Sequence, residues 1–191
     1  MIKAILLAAG QSKRLKSENK LIKLYKKKHL INYSINTLQK SKINKIIIVL
    51  GYEKEKIKKI VSKSKKIIFV NNKQFKKGIS SSIKSGLKKI NKKDKGFMIV
   101  HSDMPFIKTT SVNMICNSIL KQKGLVHILK HKSTNGNPIG FDISLLDKFR
   151  KIKGDRGAKY LVKRLQKRTS FIKVKSIKEF KDFDKLSDFR V

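Results

Sequence analysis

Acidic residues are scarce in this chain, 12 Asp plus Glu against 49 Lys plus Arg, so an acid placed beside a turn is more informative than any single cation. Val100-His101-Ser102-Asp103-Met104-Pro105 sets Asp103 directly after an apolar run. A hard carboxylate oxygen there suits Mg²⁺, which takes one or two protein carboxylates, keeps several waters and bridges substrate phosphates. A second stretch, LLAAGQSKRLKSENK from Leu6 to Lys20, leaves another apolar run through the small residues Ala8, Ala9 and Gly10. Such a turn has no bulky side chains, so backbone amides can approach a nucleotide closely. Arg14 and Lys20 follow it. A guanidinium can hold two phosphate oxygens, and a lysine supplies a compact charge to one developing on an α-phosphate. A third stretch combines Asn71-Asn72 with Gly78-Ile79-Ser80-Ser81-Ser82. Asn amides can read a base edge or a ribose, and serines opening a helix offer hydroxyls and free amides to an anion.

Each stretch also has a plainer reading: an Asp capping a turn, solvated cations on a strand-to-helix loop, a turn followed by an N-cap. Neither G-x-G-x-x-G nor G-x-x-x-x-G-K-[ST] is present, so the usual dinucleotide and P-loop patterns are excluded.

The elements that must position these residues follow from hydrophobic periodicity. Apolar runs of strand length occur at Ile2 to Ala8, Lys45 to Leu50, Lys66 to Val70, Gly96 to His101 and Leu125 to Leu129. They lack period-two alternation, as in parallel strands buried on both faces. Helical spacing appears over Leu30 to Gln39, Glu53 to Val61, Ile79 to Ile90 and Ser111 to Leu120. The alternation predicts an α/β sheet with right-handed crossovers, in which ligands bind beyond the carboxyl ends of the strands. The last third predicts a turn at Gly136-Asn137-Pro138-Ile139 leading into a strand, and a helix near Leu145 to Lys151. A loop at Gly154-Asp155-Arg156-Gly157, a helix to about Leu165 and a strand at Phe171 to Val174 follow. No repeat or Pro/Gly-rich linker interrupts the 191 residues, so one domain over 1–191 is expected.

With 39% apolar residues the chain is not of the disordered class. The net charge of +37 would suit a polyanionic partner, but the cations are spread over nearly every segment and identify none. The ten Phe and four Tyr are scattered, without the clustered stacking platform of single-strand binders, so charge alone favours a nucleic-acid-binding protein. The lone Cys116 can form no internal disulfide, and no Cys/His cluster suggests structural metal. The N-terminal apolar run is too short for a signal peptide or a membrane span. A soluble, cytoplasmic protein without membrane association is expected.

Taken in order, these motifs resemble the MobA-like nucleotidyltransferases, and within them the molybdenum cofactor cytidylyltransferase type. The resemblance runs through LAAG-x-S-x-R at Leu7 to Arg14, Asn19-Lys20-Leu21, Val49 to Glu53, Asn71-Asn72, Gly78 to Ser82 and Ser102 to Pro105. It continues through Gly136 to Ile139, Gly154 to Ala158 and Asp182-Phe183-Asp184. Leu15-Lys16 stands where the family usually has Met-Gly, Ser102 where it has Gly, and Lys185-Leu186-Ser187 where it has Thr-Pro-Glu.

The resemblance implies a three-layer αβα Rossmann-like nucleotidyltransferase fold with a mostly parallel central sheet. It implies that Leu7, Ala8, Ala9 and Gly10 line the nucleotide, and that Arg14 and Lys20 hold its triphosphate. Asn72 with Ser80, Ser81 and Ser82 would contact base or ribose, and Mg²⁺ would sit on Asp103 and Asp184. Loops 136–138 and 154–157 would face the acceptor, although Asp155 reads more readily as a helix N-cap. The implied reaction moves CMP from CTP to molybdopterin-bound molybdenum with loss of pyrophosphate, and the implied partners are a molybdoenzyme or its chaperone. Ala9 would distinguish CTP, since guanylyl relatives usually have Gly there. The same scaffold also admits a sugar- or polyol-phosphate acceptor.

Overall fold

The computed structural model describes residues 1–12, 19–154 and 159–190. Arg14 and the Asp155-Arg156-Gly157 stretch lie outside the described residues. In chain order the elements are β1 Ile2–Ala8, β2 Leu24–Tyr25, β3 Lys28–His29, α1 Leu30–Gln39, β4 Lys45–Leu50, α2 Lys54–Ile60, β5 Ile67–Asn71 and α3 Ile79–Leu87. There follow β6 Gly96–His101, α4 Thr109–Leu120, β7 Val126–His131, β8 Thr134–Asp142, α5 Leu146–Arg150, α6 Lys159–Arg164 and β9 Thr169–Lys173.

Seven strands form one sheet in the order β5-β4-β1-β6-β8-β7-β9. Every neighbouring pair is parallel except those made by β8, which runs antiparallel to both β6 and β7. The continuous apolar runs of β1, β4 and β6 are central and buried, as parallel strands covered on both faces require. Their alternate residues feed two separate cores. One packs under α1, α2 and α4 through Leu30, Ile57 and Ile115; the other packs under α3, α5 and α6 through Ile83, Phe149 and Leu161. The result is the expected three-layer α/β arrangement.

From β1 the chain moves outward through α1 to β4 and through α2 to β5. Then α3 carries it back across the sheet to β6 on the other side of β1, on the opposite face. This reversal leaves a crevice above the carboxyl end of β1, where open α/β sheets bind ligands. Gly86 sets the depth of α3: a Cβ there would lie 2.5 Å from Ile5 Cγ2 and 3.1 Å from Val49 Cγ2. The bare backbone lets the helix settle onto β1 and β4.

Two local features depart from expectation. Gly136 to Ile139 is not a turn before a strand but part of β8 itself. The β7–β8 register jumps from Ile128↔Ile139 to Leu129↔Gly136, so Asn137 and Pro138 bulge out of that ladder, and β6 pairs only from Ile139 onward. A bulge is how a strand interior accommodates a proline that cannot donate. The β2–β3 hairpin was not anticipated. Its two turn residues, Lys26 and Lys27, have φ of 46° and 64°, a backbone usually signalled by Asn-Gly.

His127, on β7 beneath α4, is fully buried, and its Nδ1 lies 2.8 Å from Ser118 Oγ. Burial pushes the imidazole down to about 4, against the opposing pull of the Asp142 carboxylate. The folded protein therefore keeps His127 neutral while the unfolded chain takes up a proton below about pH 6.5. Stability from this residue is complete above that pH and is lost as the pH falls toward 4. Urea denaturation between pH 7 and pH 4 should show wild type losing about 3 kcal/mol more than His127→Gln; parallel losses would mean that the imidazole titrates within the fold.

Candidate active site

Beyond Ala8 the chain turns away from β1, and the side chains alternate. Ala8 packs into the core under α1, whereas Leu7, Ala9 and Gly10 line a cleft of about 380 Å³. Gly10 does not have a positive φ. Its importance is space, because a Cβ there would meet nothing within 4 Å and would project into that opening. Across the cleft, Gly51 after β4 lets the chain close tightly: a Cβ would stand 2.7 Å from Phe75 Cβ and 2.8 Å from the Ala9 carbonyl oxygen. Phe75 and Lys76 thereby form one wall, and His101 and Asp103 from the end of β6 form another.

The α3 side is built by hydrogen bonds among the polar residues of the third stretch. Gly78, at φ 89°, delivers the chain into the helix, a backbone that side-chain-bearing residues rarely adopt. Buried Asn72 donates its amide to Ser81 Oγ at 2.9 Å and Ser82 Oγ at 3.0 Å, and its Oδ1 accepts from the Gln74 amide at 3.0 Å. Ser80 donates to the Gly154 carbonyl, and Ser81 Oγ reaches the carbonyls of Gln74 and Gly78. Ser82 is the one of the three serines that lines the cleft. Asn72, Ser80 and Ser81 brace the turn and the start of α3, and the loop after α5 is tied to them through Gly154.

At the cleft's edge three distant segments meet on one ammonium. Lys20 Nζ donates to Asp103 Oδ2 at 2.6 Å and to Asp184 Oδ1 at 2.7 Å. Each partner has its own support. The Lys20 amide donates to Ser12 Oγ at 3.2 Å, and Ser102 Oγ donates to the Leu7 carbonyl at 2.6 Å, fixing the end of β6 beside β1.

Asp184 arrives on the C-terminal segment, which is pinned at two points. Glu179, buried, accepts from Ser111 Oγ at 2.6 Å at the start of α4. Phe183, 1% exposed, enters a cluster with Tyr25, Phe106 and Phe189 at ring separations of 4.9, 5.7 and 5.1 Å. Its amide also donates to the Asp103 carbonyl at 2.9 Å. Asp188 then accepts from the amides of Asp184 and Lys185, closing the turn that the sequence makes without the family's Thr-Pro. Gly136 belongs to this support as well, since a Cβ there would fall 2.1 Å from the Phe180 ring.

The side chains of Lys20, Asp103 and Asp184 are 15%, 16% and 30% exposed. Burial would push the lysine down, but the charge and hydrogen bond of Asp103, with those of Asp184, outweigh it and hold the ammonium above its ordinary 10.5. Asp103 Oδ1 is buried without a hydrogen-bond partner among the described residues. Two hard carboxylates, one with an uncommitted oxygen, fit a Mg²⁺ or Mn²⁺ ion that completes its shell with water and phosphate oxygens. No group of three or more His, Cys, Asp or Glu occurs among the described residues, so a protein-only cage for a metal is not built here.

The site thus joins Leu7, Ala9, Gly10 and Ser82 to Lys20, Asp103 and Asp184. Phe75, Lys76 and His101 join them without having been read from sequence. For Phe75 the usable signal was Gly51, a glycine that leaves room for a ring 24 positions later.

The sequence model of the MobA-like NTP transferase domain matches residues 4–169, so Asp184 and its segment lie beyond the matched span. A 2-C-methyl-D-erythritol 4-phosphate cytidylyltransferase of Lachnoclostridium phytofermentans is 33% identical over 140 residues, covering 70% of this chain and 58% of the relative. The bifunctional protein GlmU of Thermosipho melanesiensis is 28% identical over 166 residues, 86% of this chain and 35% of the relative. The chain therefore spans less than two thirds of either relative. The crystal structure of Rv0371c from Mycobacterium tuberculosis superposes with a TM-score of 0.86 at 18% identity, covering 98% of this chain and 95% of that one. A second structure of that protein, in complex with manganese, gives 0.76 at 15% identity over 92% and 89%. No described helix is long and apolar enough to cross a membrane.

Phe183→Ala should cost about 3–5 kcal/mol in urea denaturation and expose the C-terminal segment to limited proteolysis. An unchanged digestion pattern would mean that the segment is held without the Phe183 ring.

Proposed function

The chain belongs to the MobA-like NTP transferase domain family, and from that premise we propose that it transfers CMP from CTP to the terminal phosphate of the molybdopterin molybdenum cofactor, releasing pyrophosphate. The observation that carries this reading is the meeting of Lys20, Asp103 and Asp184 at the edge of the cleft lined by Ala9 and Gly10. A triphosphate arriving over the Gly10 turn meets open backbone on one side and this charge cluster on the other. The acceptor's phosphate oxygen attacks the α-phosphorus in line, the bond to the bridging oxygen breaks, and pyrophosphate departs with the electron pair. No covalent enzyme intermediate is needed.

Asp103 and Asp184 are the residues that would hold Mg²⁺, which when bound neutralises charge on the phosphate oxygens. Lys20 brings a flexible ammonium to the same oxygens. Arg14 is assigned to the triphosphate on the resemblance of its motif. Ala9 is assigned to the choice of CTP, and Ser82 to the nucleoside. A cytoplasmic setting and a molybdoenzyme or its chaperone as recipient belong to the same reading.

A second reading, a polyol- or sugar-phosphate acceptor, is favoured by the 33% identity to a cytidylyltransferase named for a polyol phosphate. Pyrophosphate release with each of the four ribonucleoside triphosphates, without acceptor, with molybdenum cofactor and with methylerythritol phosphate, separates the two. Turnover with CTP and molybdenum cofactor is expected; turnover only with the polyol phosphate would replace the acceptor. Asp103→Ala should lower kcat by at least about a hundredfold while the protein stays folded, and retained activity would remove Asp103 from the reaction.

A further inference from the structure

We propose that Lys20 is a built-in counterion that competes with the divalent ion for Asp103 and Asp184, so that metal and nucleoside triphosphate bind as a linked pair. This rests on reading the two aspartates as the metal's ligands. The carboxylates come from the end of β6 and from the C-terminal segment, and the fold drives them onto one point through the Phe183 cluster and the Phe183 amide on the Asp103 carbonyl. Two like charges brought together in a partly buried setting require a cation. Lys20 supplies one, with a donor on each carboxylate at 2.6 and 2.7 Å.

An ammonium at that position and a divalent ion on the same two carboxylates repel each other strongly, so one must leave as the other enters. Asp103 Oδ1, buried and unpartnered among the described residues, would offer a divalent ion a carboxylate oxygen that Lys20 does not occupy. The lysine has a compact charge on a flexible four-carbon stem, and a triphosphate beside Gly10 offers it replacement anionic oxygens. Nucleotide therefore frees the carboxylates for metal, and by reciprocity metal frees Lys20 for nucleotide. Without nucleotide the ion has to displace the lysine unaided, and its affinity is low.

The test uses Mn²⁺ alone, followed by the electron paramagnetic resonance of the free ion, on nucleotide-free full-length protein. Lys20→Met should bind Mn²⁺ about tenfold or more tightly than wild type, and Lys20→Arg, which keeps the cation, should remain near wild type. The same gain should appear in thermal unfolding as a larger Mn²⁺-induced rise in Tm for Lys20→Met. This keeps the test open if that variant is destabilised. Equal or weaker Mn²⁺ binding by Lys20→Met, with binding still lost in Asp103→Asn, would overturn the counterion role and leave the metal assignment standing. Mn²⁺ binding that is unchanged when Asp103→Asn is added to Lys20→Met would overturn the metal assignment itself, and the counterion role with it.

Discussion

The ammonium of Lys20 is shared between two carboxylates that lie 81 positions apart in sequence, at 2.6 and 2.7 Å, and much of the surrounding fold serves that meeting. Asp103 is in place because β6 is central, parallel to β1 and fastened to it through Ser102. Lys20 is in place because its backbone amide donates to Ser12 Oγ, just beyond the small residues that end β1. Asp184 is in place because the C-terminal segment docks across the mouth of the sheet. Loss of Lys20 would leave two like charges side by side in a partly buried setting.

The cost of bringing two acids together is met by packing far from the ammonium. Phe183 fills an aromatic pocket floored by Tyr25 and Phe106, Glu179 satisfies Ser111 at the start of α4, and Gly136 leaves room for Phe180. The bulge that admits Pro138 into β8 follows Gly136 directly. A stretch that reads as an acceptor-facing turn thus contributes to the backing of the C-terminal segment.

The layers were legible in the sequence because parallel strands buried on both faces leave uninterrupted Ile/Val runs, and all five such runs became strands. The β2–β3 hairpin was not legible, because lysines occupy left-handed positions where Asn-Gly would have signalled a turn. In the site, Asp103 and Lys20 could be picked out by placement after apolar runs. Asp184 could be found only through the family motif, since the chain closes that turn with the Asp188 carboxylate in place of Thr-Pro. His101 ends β6, and Phe75 with Lys76 gave no local signal, since the place of the Phe75 ring shows only against Gly51. Asn72, Ser80 and Ser81 looked like ligand-reading groups, yet their hydrogen bonds are spent on one another and on the backbone. The charge of +37 identified nothing: the lysine shared by Asp103 and Asp184 is distinguished by its neighbours.

The claim that Lys20 and Asp184 act as one ionic unit is tested most directly by a double-mutant cycle on folding stability, with Lys20→Met, Asp184→Asn and the pair, measured by urea denaturation at neutral pH without added metal. A coupling energy of about 1–3 kcal/mol is predicted for a hydrogen-bonded charge pair in partial burial. Additivity within about 0.5 kcal/mol would contradict it and leave the two residues as neighbours without a shared role.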